Sequence, residues 1–259
     1  MKFVTFAWAF ALALSLLVPS AEAKVFFSDN FPGTTLNSHN WNYCLPDGDP
    51  TCSGGDNWQN DQWVSYAVQV NNGLSLYVAE GGTTNGRQYA ASMINSYQKF
   101  HAMGGWIQAE MKMPSGNAAG YWPAFWLLPA SFPSSGKVQN FEIDAEWLGN
   151  DPNTVYFTLH GHANGVQTQI AQFKAHSDTL SSQFHDYTFN WTPGKLLEFR
   201  LDGAVVGTVT GNNVPNEPMF MVLNNNTMGT TVNWNGNVPN SATQFPRAMA
   251  VKYVAVVSN

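Results

Sequence analysis

The chain has 259 residues, enough for one sizeable domain with its own core. Only 11% of residues are charged, the formal net charge is -6, and no Lys/Arg run is present. That balance argues against nucleic acid or anionic membranes as partners. Aromatic residues make up 14%, with ten Trp and seventeen Phe, which suits a neutral ligand whose rings can be stacked upon. A merely solubilising acidic surface is the alternative.

The chain opens like a secretory leader. Lys2 gives a positive start, Phe3 to Val18 is apolar without an acid, and Ala21-Glu22-Ala23 fits a small-x-small cleavage site. Residues 1–23 are thus expected to be a signal peptide, and 24–259 a single secreted domain with no membrane span. The two cysteines, Cys44 and Cys52, are separated by "LPDGDPT", a run of turn formers. Export to an oxidising compartment predicts a disulfide between them. A buried pair of free thiols is the alternative, and the absence of a nearby His pair makes a poor zinc site.

Short runs of strand character then recur between turn signals: "WVSYAVQV", "LSLYVAE", "GWIQAEMKM", "YWPAFWLL", "FEIDAEWL", "TVYFTLHGH", "DYTFNWT", "LLEFRLDG", "AVVGTVTG", "PMFMVLNNN" and "MAVKYVAVV". Long helical periodicity is absent. This pattern predicts an all-β fold, two antiparallel sheets packed as a sandwich or jelly roll. Asp202-Gly203 should turn a hairpin.

Two of these strands belong together. In "GYWPAFWLLP", Trp122, Ala124 and Trp126 share one face. In "NFEIDAEWLG", Phe141, Ile143, Ala145 and Trp147 form an apolar face, and Glu142, Asp144 and Glu146 form the other. Aromatic platforms beside carboxylates suit a sugar, whose C–H faces stack on rings. For any single Trp, core packing is the competing reading. Glu142 and Glu146 lie about 13 Å apart at Cα along a strand, so their carboxyl groups can approach about 5–6 Å. Retaining glycosidases need about 5–5.5 Å and inverting ones about 6.5–9.5 Å. Three anions this close cannot all ionise freely, and a raised pKa is what an acid/base catalyst needs. Calcium binding or an exposed acidic face are the alternatives.

At these residues the chain resembles glycoside hydrolase family 16. "EIDAEWLG" is similar to the family's E-x-D-x-E active-site strand. "FFSDNFPGTTLNSHNW" resembles its opening segment. "GGWIQAEMKMPSGNAAGYWPAFWLLP" is similar to "GRFEARIKLP…GLWPAFWLLP", and "FHDYTFNWTPGKLLEFRLDG" to "FHTYAVEWTPDHIEFYVDG". The resemblance runs from about Phe27 to Val257. It implies a β-jelly roll with a cleft on a concave sheet, and endo-acting, retaining hydrolysis of β-linked glucans or galactans without a cofactor.

Residue by residue, the resemblance makes Glu142 the nucleophile, Asp144 the assisting acid and Glu146 the general acid/base. Trp122 and Trp126 match cleft aromatics, whereas Trp147 has core parity. Asn60 and Gln62 sit where the family often has an Asn and a Glu near the substrate, with Gln replacing Glu. His160 and His162 follow on the next strand, either reaching the cleft or serving structure. Many members place a calcium-binding Asp in the last strand, where this chain has Lys252, so no metal is expected there. The acidic strand also lacks the extra residue that bulges it in many laminarinases. That form resembles lichenases and xyloglucan-active members, while "GYWPAFWLLP" looks like laminarinases. The reading is a monomeric endo-β-glucanase on β-1,3- or mixed β-1,3/1,4-glucan. A galactan hydrolase, a transglycosylase and a non-catalytic carbohydrate-binding module are the competing readings. Asn190-Trp191-Thr192 and Asn225-Asn226-Thr227 read as glycosylation sequons.

Overall fold

The computed structural model describes residues 23–45, 52, 60–132, 141–163, 166–229 and 233–259. The expected leader therefore lies outside the described residues, except for Ala23. The strands are β1 (Val25–Asp29), β2 (Asn42–Tyr43), β3 (Asp61–Trp63), β4 (Val68–Val70), β5 (Leu74–Glu80), β6 (Tyr89–Asn95), β7 (Gly105–Lys112) and β8 (Tyr121–Pro129). They continue with β9 (Phe141–Leu148), β10 (Asp151–Ala163), β11 (Val166–His176), β12 (His185–Thr192), β13 (Leu196–Leu201), β14 (Ala204–Thr210), β15 (Met219–Thr227) and β16 (Arg247–Val257). Among the described residues the only helical turns are two 3-10 turns, Ser65–Ala67 and Gly211–Asn213.

The order β11-β10-β9-β8-β15-β6 makes one sheet and β5-β16-β7-β12-β13-β14 the other. The all-β sandwich expected from the sequence is therefore present. It is not a pair of wholly separate antiparallel sheets. β5 pairs with β16 along Leu74–Val78 and then with β6 through Ala79 and Glu80, so it turns the corner between them. β3 joins β6 in parallel. "WVSYAVQV" is broken by the Ser65–Ala67 turn, and β1, β2, β6 and β11 are additional to the strands anticipated.

Alternation explains which faces meet. Ile143, Ala145 and Trp147 of β9, Phe125 and Leu127 of β8, and Val155, Phe157 and Leu159 of β10 are all buried. They pack against Ile107, Ala109 and Met111 of β7 and Tyr187, Phe189 and Trp191 of β12. Ring pairs cross between the sheets: Phe125 stacks on Phe189 at 5.2 Å, and Phe157 lies 5.7 Å from Phe199. Each such ring stabilises the fold by about 1.5–3 kcal/mol on burial. Trp147 is fully buried, as its parity requires, and its indole donates to Pro152 O.

The free edges β11 and β14 meet through one side chain. A Cβ on Gly207 would lie 2.1 Å from the Phe173 ring, so only glycine admits that ring. At the other end of β14, Asp202 and Gly203 have φ values of 50° and 78°, the two left-handed residues of a tight hairpin turn.

Cys44 and Cys52 are disulfide-bonded, with Cα atoms 5.5 Å apart. Cys52 O accepts the Trp63 N–H at 2.7 Å, so the bridge ties β2 to β3, which both pair with β6. On the opposite sheet, Lys252 pairs with Glu110 and lies 4.3 Å from the Phe184 ring. Both sequon asparagines are engaged. Asn190 donates to Glu198 at 2.7 Å, and the fully buried Asn225 donates to Leu76 O at 2.9 Å.

Candidate active site

The outer face of the first sheet is built by register. On β9, Glu142, Asp144 and Glu146 stand opposite His160, Thr158 and Tyr156 of β10. This stretch pairs residue for residue from Phe141 to Trp147, so the acidic strand carries no bulge there. On its other side, Trp126 of β8 stands opposite Asp144, and Ala124 opposite Glu146. β15 adds Asn226 opposite Trp122 and Asn224 opposite Ala124. One face thus carries the acids between His160 and Thr158 on one flank and the two tryptophans on the other.

Hydrogen bonds fix these groups. Trp122 Nε1 donates to Glu146 Oε1 at 2.9 Å, and Trp126 Nε1 donates to Asn224 Oδ1 at 2.7 Å. Asn224 in turn donates to Trp122 O at 3.2 Å, so one residue of β15 holds both tryptophan positions of β8. Gln167 Nε2 approaches Glu142 Oε2 at 3.5 Å. His160 Nε2 is 3.6 Å from Asp144 Oδ2, longer than a standard hydrogen bond. Both tryptophans are half-buried, which leaves part of each ring exposed to a ligand.

Asp144 is 2% exposed. Burial, with Glu142 and Glu146 on either side, pushes its carboxyl well above the usual carboxylate range, and it hydrogen-bonds Glu142. That bias favours the protonated form of Asp144, which can donate toward the Glu142 carboxylate. Burial, reinforced by the Glu142 charge, pushes Glu146 up to about 8, against the opposing hydrogen bond from Trp122. One glutamate thus faces a proton donor, and the other retains its own proton near neutral pH. Glu142, Asp144 and His160 also offer ligand atoms within 4.8 Å of one another. A divalent cation would have to displace the Asp144 proton to use them.

The other sequence candidates lie farther off. Asn60 and Gln62 lie along β6 and beside the end of β15, where Asn60 N donates to Thr227 O at 3.4 Å, with β15 and β8 between them and β9. Asn60 donates to Gln88 at 3.2 Å. Gln62 is buried and exchanges hydrogen bonds with Thr84, its Nε2 donating to Thr84 Oγ1 at 3.0 Å and its Oε1 accepting from Thr84 N at 2.7 Å. From that segment Trp63 reaches the β15 row, donating to Asn226 Oδ1 at 2.8 Å. The His162 side chain lies outside the described residues. Thr158, Asn224 and Gln167 were not anticipated. Their only sequence signal is matching strand parity, which names no partner strand.

The profile of glycosyl hydrolases family 16 matches residues 55–254. The chain belongs to this family. Two endo-1,3-1,4-beta-glycanases of Rhizobium meliloti are similar to it, at 35% identity over 141 residues and 31% over 215. These alignments cover 54% and 78% of this chain but only 28% and 41% of those proteins, so the chain spans well under half of their length. A laminarinase from Flavobacterium sp. UMI-01 is 27% identical, with a TM-score of 0.75 over 90% of this chain and 99% of that one. The catalytic domain of an endo-1,3-beta-glucanase from Thermotoga petrophila shares the fold, with a TM-score of 0.78 at 23% identity over 92% of this chain and 98% of that one. In this family member, the β8–β9–β10 face is the place where acids and aromatic platforms coincide.

Proposed function

We propose that the chain is a secreted, monomeric endo-β-glucanase that hydrolyses internal linkages of β-1,3- or mixed β-1,3/1,4-glucans with retention of configuration. The observation that carries this reading is the placement of Glu142, Asp144 and Glu146 on one strand face beside Trp122 and Trp126. Glu142 sits beside a proton donor and is the nucleophile. Glu146 keeps its proton near neutral pH and is the general acid. Glu146 protonates the departing glycosidic oxygen while Glu142 bonds to the anomeric carbon. Asp144 donates a hydrogen bond to Glu142, restraining its charge until that bond forms. Glu146, now ionised, takes a proton from a water whose oxygen bonds to the anomeric carbon as the bond to Glu142 breaks, which releases the sugar with its original configuration. Trp122 and Trp126 give the glucose rings their stacking surfaces beside the acids.

The relatives named as endo-1,3-1,4-beta-glycanases and the laminarinase support the substrate class. Secretion is supported by the leader-like residues 1–23 and by the disulfide. Reducing-end release from laminarin, lichenan, xyloglucan and agarose, measured side by side with anomeric NMR of the first product, tests the reading. Release from laminarin or lichenan with a β-anomer is expected, and activity on agarose alone or an α-anomer would overturn it. A second reading, glucan transfer, draws on a probable xyloglucan endotransglucosylase/hydrolase of Arabidopsis thaliana, 30% identical over 60% of this chain and 50% of that protein. Chain-length redistribution without net reducing ends would favour it.

A further inference from the structure

Asp144 Oδ2 is buried and has no hydrogen-bond partner among the described residues. A buried polar atom left in that state calls for a reason. It faces His160 Nε2 at 3.6 Å, too far for a hydrogen bond. That separation is close to the edge of a zinc tetrahedron, about 3.3–3.4 Å for ligands about 2.0–2.1 Å from the ion. Glu142 supplies a third atom, and the three ligand atoms lie within 4.8 Å of one another. Register brings them together: His160 stands directly opposite Glu142, and Asp144 follows two residues along on the same face. Glu142 and His160 are partly exposed, which opens a path to the site from the outer face.

We propose that Glu142, Asp144 and His160 form a site for a zinc-like divalent cation, and that the cation inhibits the enzyme by occupying its nucleophile. The inhibition rests on the hydrolase reading above; the binding does not. Two carboxylates and one imidazole suit Zn²⁺, with a fourth position left to water. Calcium takes about 6–8 oxygen ligands, and magnesium demands a near-ideal octahedron of oxygens, so neither fits three atoms that include a nitrogen. Asp144 and His160 already stand near ligand spacing. Glu142 closes the remaining gap by turning its longer side chain, and its carboxylate is then withdrawn from any anomeric carbon. A proton held by Asp144 is released as the cation binds.

The test is isothermal titration of the full chain with Zn²⁺ alone, which needs no turnover. One Zn²⁺ should bind at these residues, and Ca²⁺ or Mg²⁺ should not displace it. Losing even an outer-shell partner lowers metal affinity about 10–100-fold, so His160→Gln, which removes a direct ligand, should lower it by at least about 100-fold. Asp144→Asn should do the same, and it carries the test if H160Q does not fold. The exposed His176–Asp178 pair, 3.1 Å apart, is the competing place for the ion, so His176→Ala should leave the affinity unchanged. Zn²⁺ should also slow glucan hydrolysis by the wild type, and H160Q should lose that sensitivity relative to its own zinc-free rate. Absence of binding, an affinity lost in H176A but kept in H160Q and D144N, or hydrolysis that saturating Zn²⁺ does not slow would overturn the proposal. Zn²⁺ held through His160 and Asp144 in a protein inactive on every glucan would uphold the site and defeat the hydrolase reading instead.

Discussion

Trp122 donates its indole N–H to Glu146 Oε1 at 2.9 Å, so the ring proposed to stack on sugar also holds the carboxyl proposed as general acid/base. The bond favours the ionised carboxylate, against the burial that pushes Glu146 up to about 8. Trp122→Phe keeps an aromatic surface and removes the donor. Its alkaline limb in kcat/KM should move to higher pH by about half a unit to one unit. A limb that stays in place would mean that the indole N–H does not tune this group.

The same raised pKa predicts how stability depends on pH. A carboxyl whose folded pKa lies above its unfolded value contributes stability that is complete below the unfolded pKa and is lost as pH rises through the folded one. For Glu146 that window runs from the ordinary glutamate value of 4.5 to about 8. Its contribution to the slope is at most about 1.4 kcal/mol per pH unit. Glu146→Gln cannot ionise, so its Tm advantage over the wild type should widen across this window and level off above it. Thermal unfolding at several pH values checks this, and a constant difference would contradict it.

Roles of the two glutamates separate on a substrate whose leaving group needs no proton. Glu146→Ala should turn over a dinitrophenyl β-glucan oligosaccharide, and azide should accelerate the slow second step and give the β-glycosyl azide. Glu142→Ala should fail on that substrate, and azide rescue should yield the α-azide. NMR of the adducts assigns each role; the reverse pattern would exchange them. Asp144→Asn should fall between the two.

Trp126 is half-buried and held by Asn224. Trp126→Ala should lower kcat/KM by a factor that corresponds to about 1–3 kcal/mol, with little change in Tm. Asn224→Ala should cost less, by loosening the ring and not removing it. Unfolding of W126A at room temperature would make this ring a core residue, and wild-type kinetics would make it inert.

The acidic strand β9 was legible as a strand because its charges coincide with its period. Charges fall only at Glu142, Asp144 and Glu146, and apolar residues fill the alternate places. β6 gives no such signal: Tyr89–Asn95 is buried at every position, so Ser92 and Asn95 are hidden among apolar neighbours without alternation. β11 fails in the opposite way, with Gln and Thr exposed along much of an edge. The run "PMFMVLNNN" reads as strand to its end, but nothing in it says that Asn224 and Asn226 hold Trp126 and Trp63 while Asn225 turns inward. Those pairings join residues 98 and 163 positions apart, and local periodicity carries no information at that range.

The inward Asn225 also bears on where this protein can be produced. An N-glycosylating host reads Asn225-Asn226-Thr227 while the chain is still unfolded. In the native state that side-chain nitrogen binds Leu76 O in the interior, with no exposed surface to carry a glycan. Modification there would keep β15 from its place between β6 and β8. In such a host, yield should depend on a race between the glycosylating enzyme and the folding of β15. Peptide mapping of the active fraction should find Asn225 bare, and an active molecule carrying a glycan at that residue would refute this account.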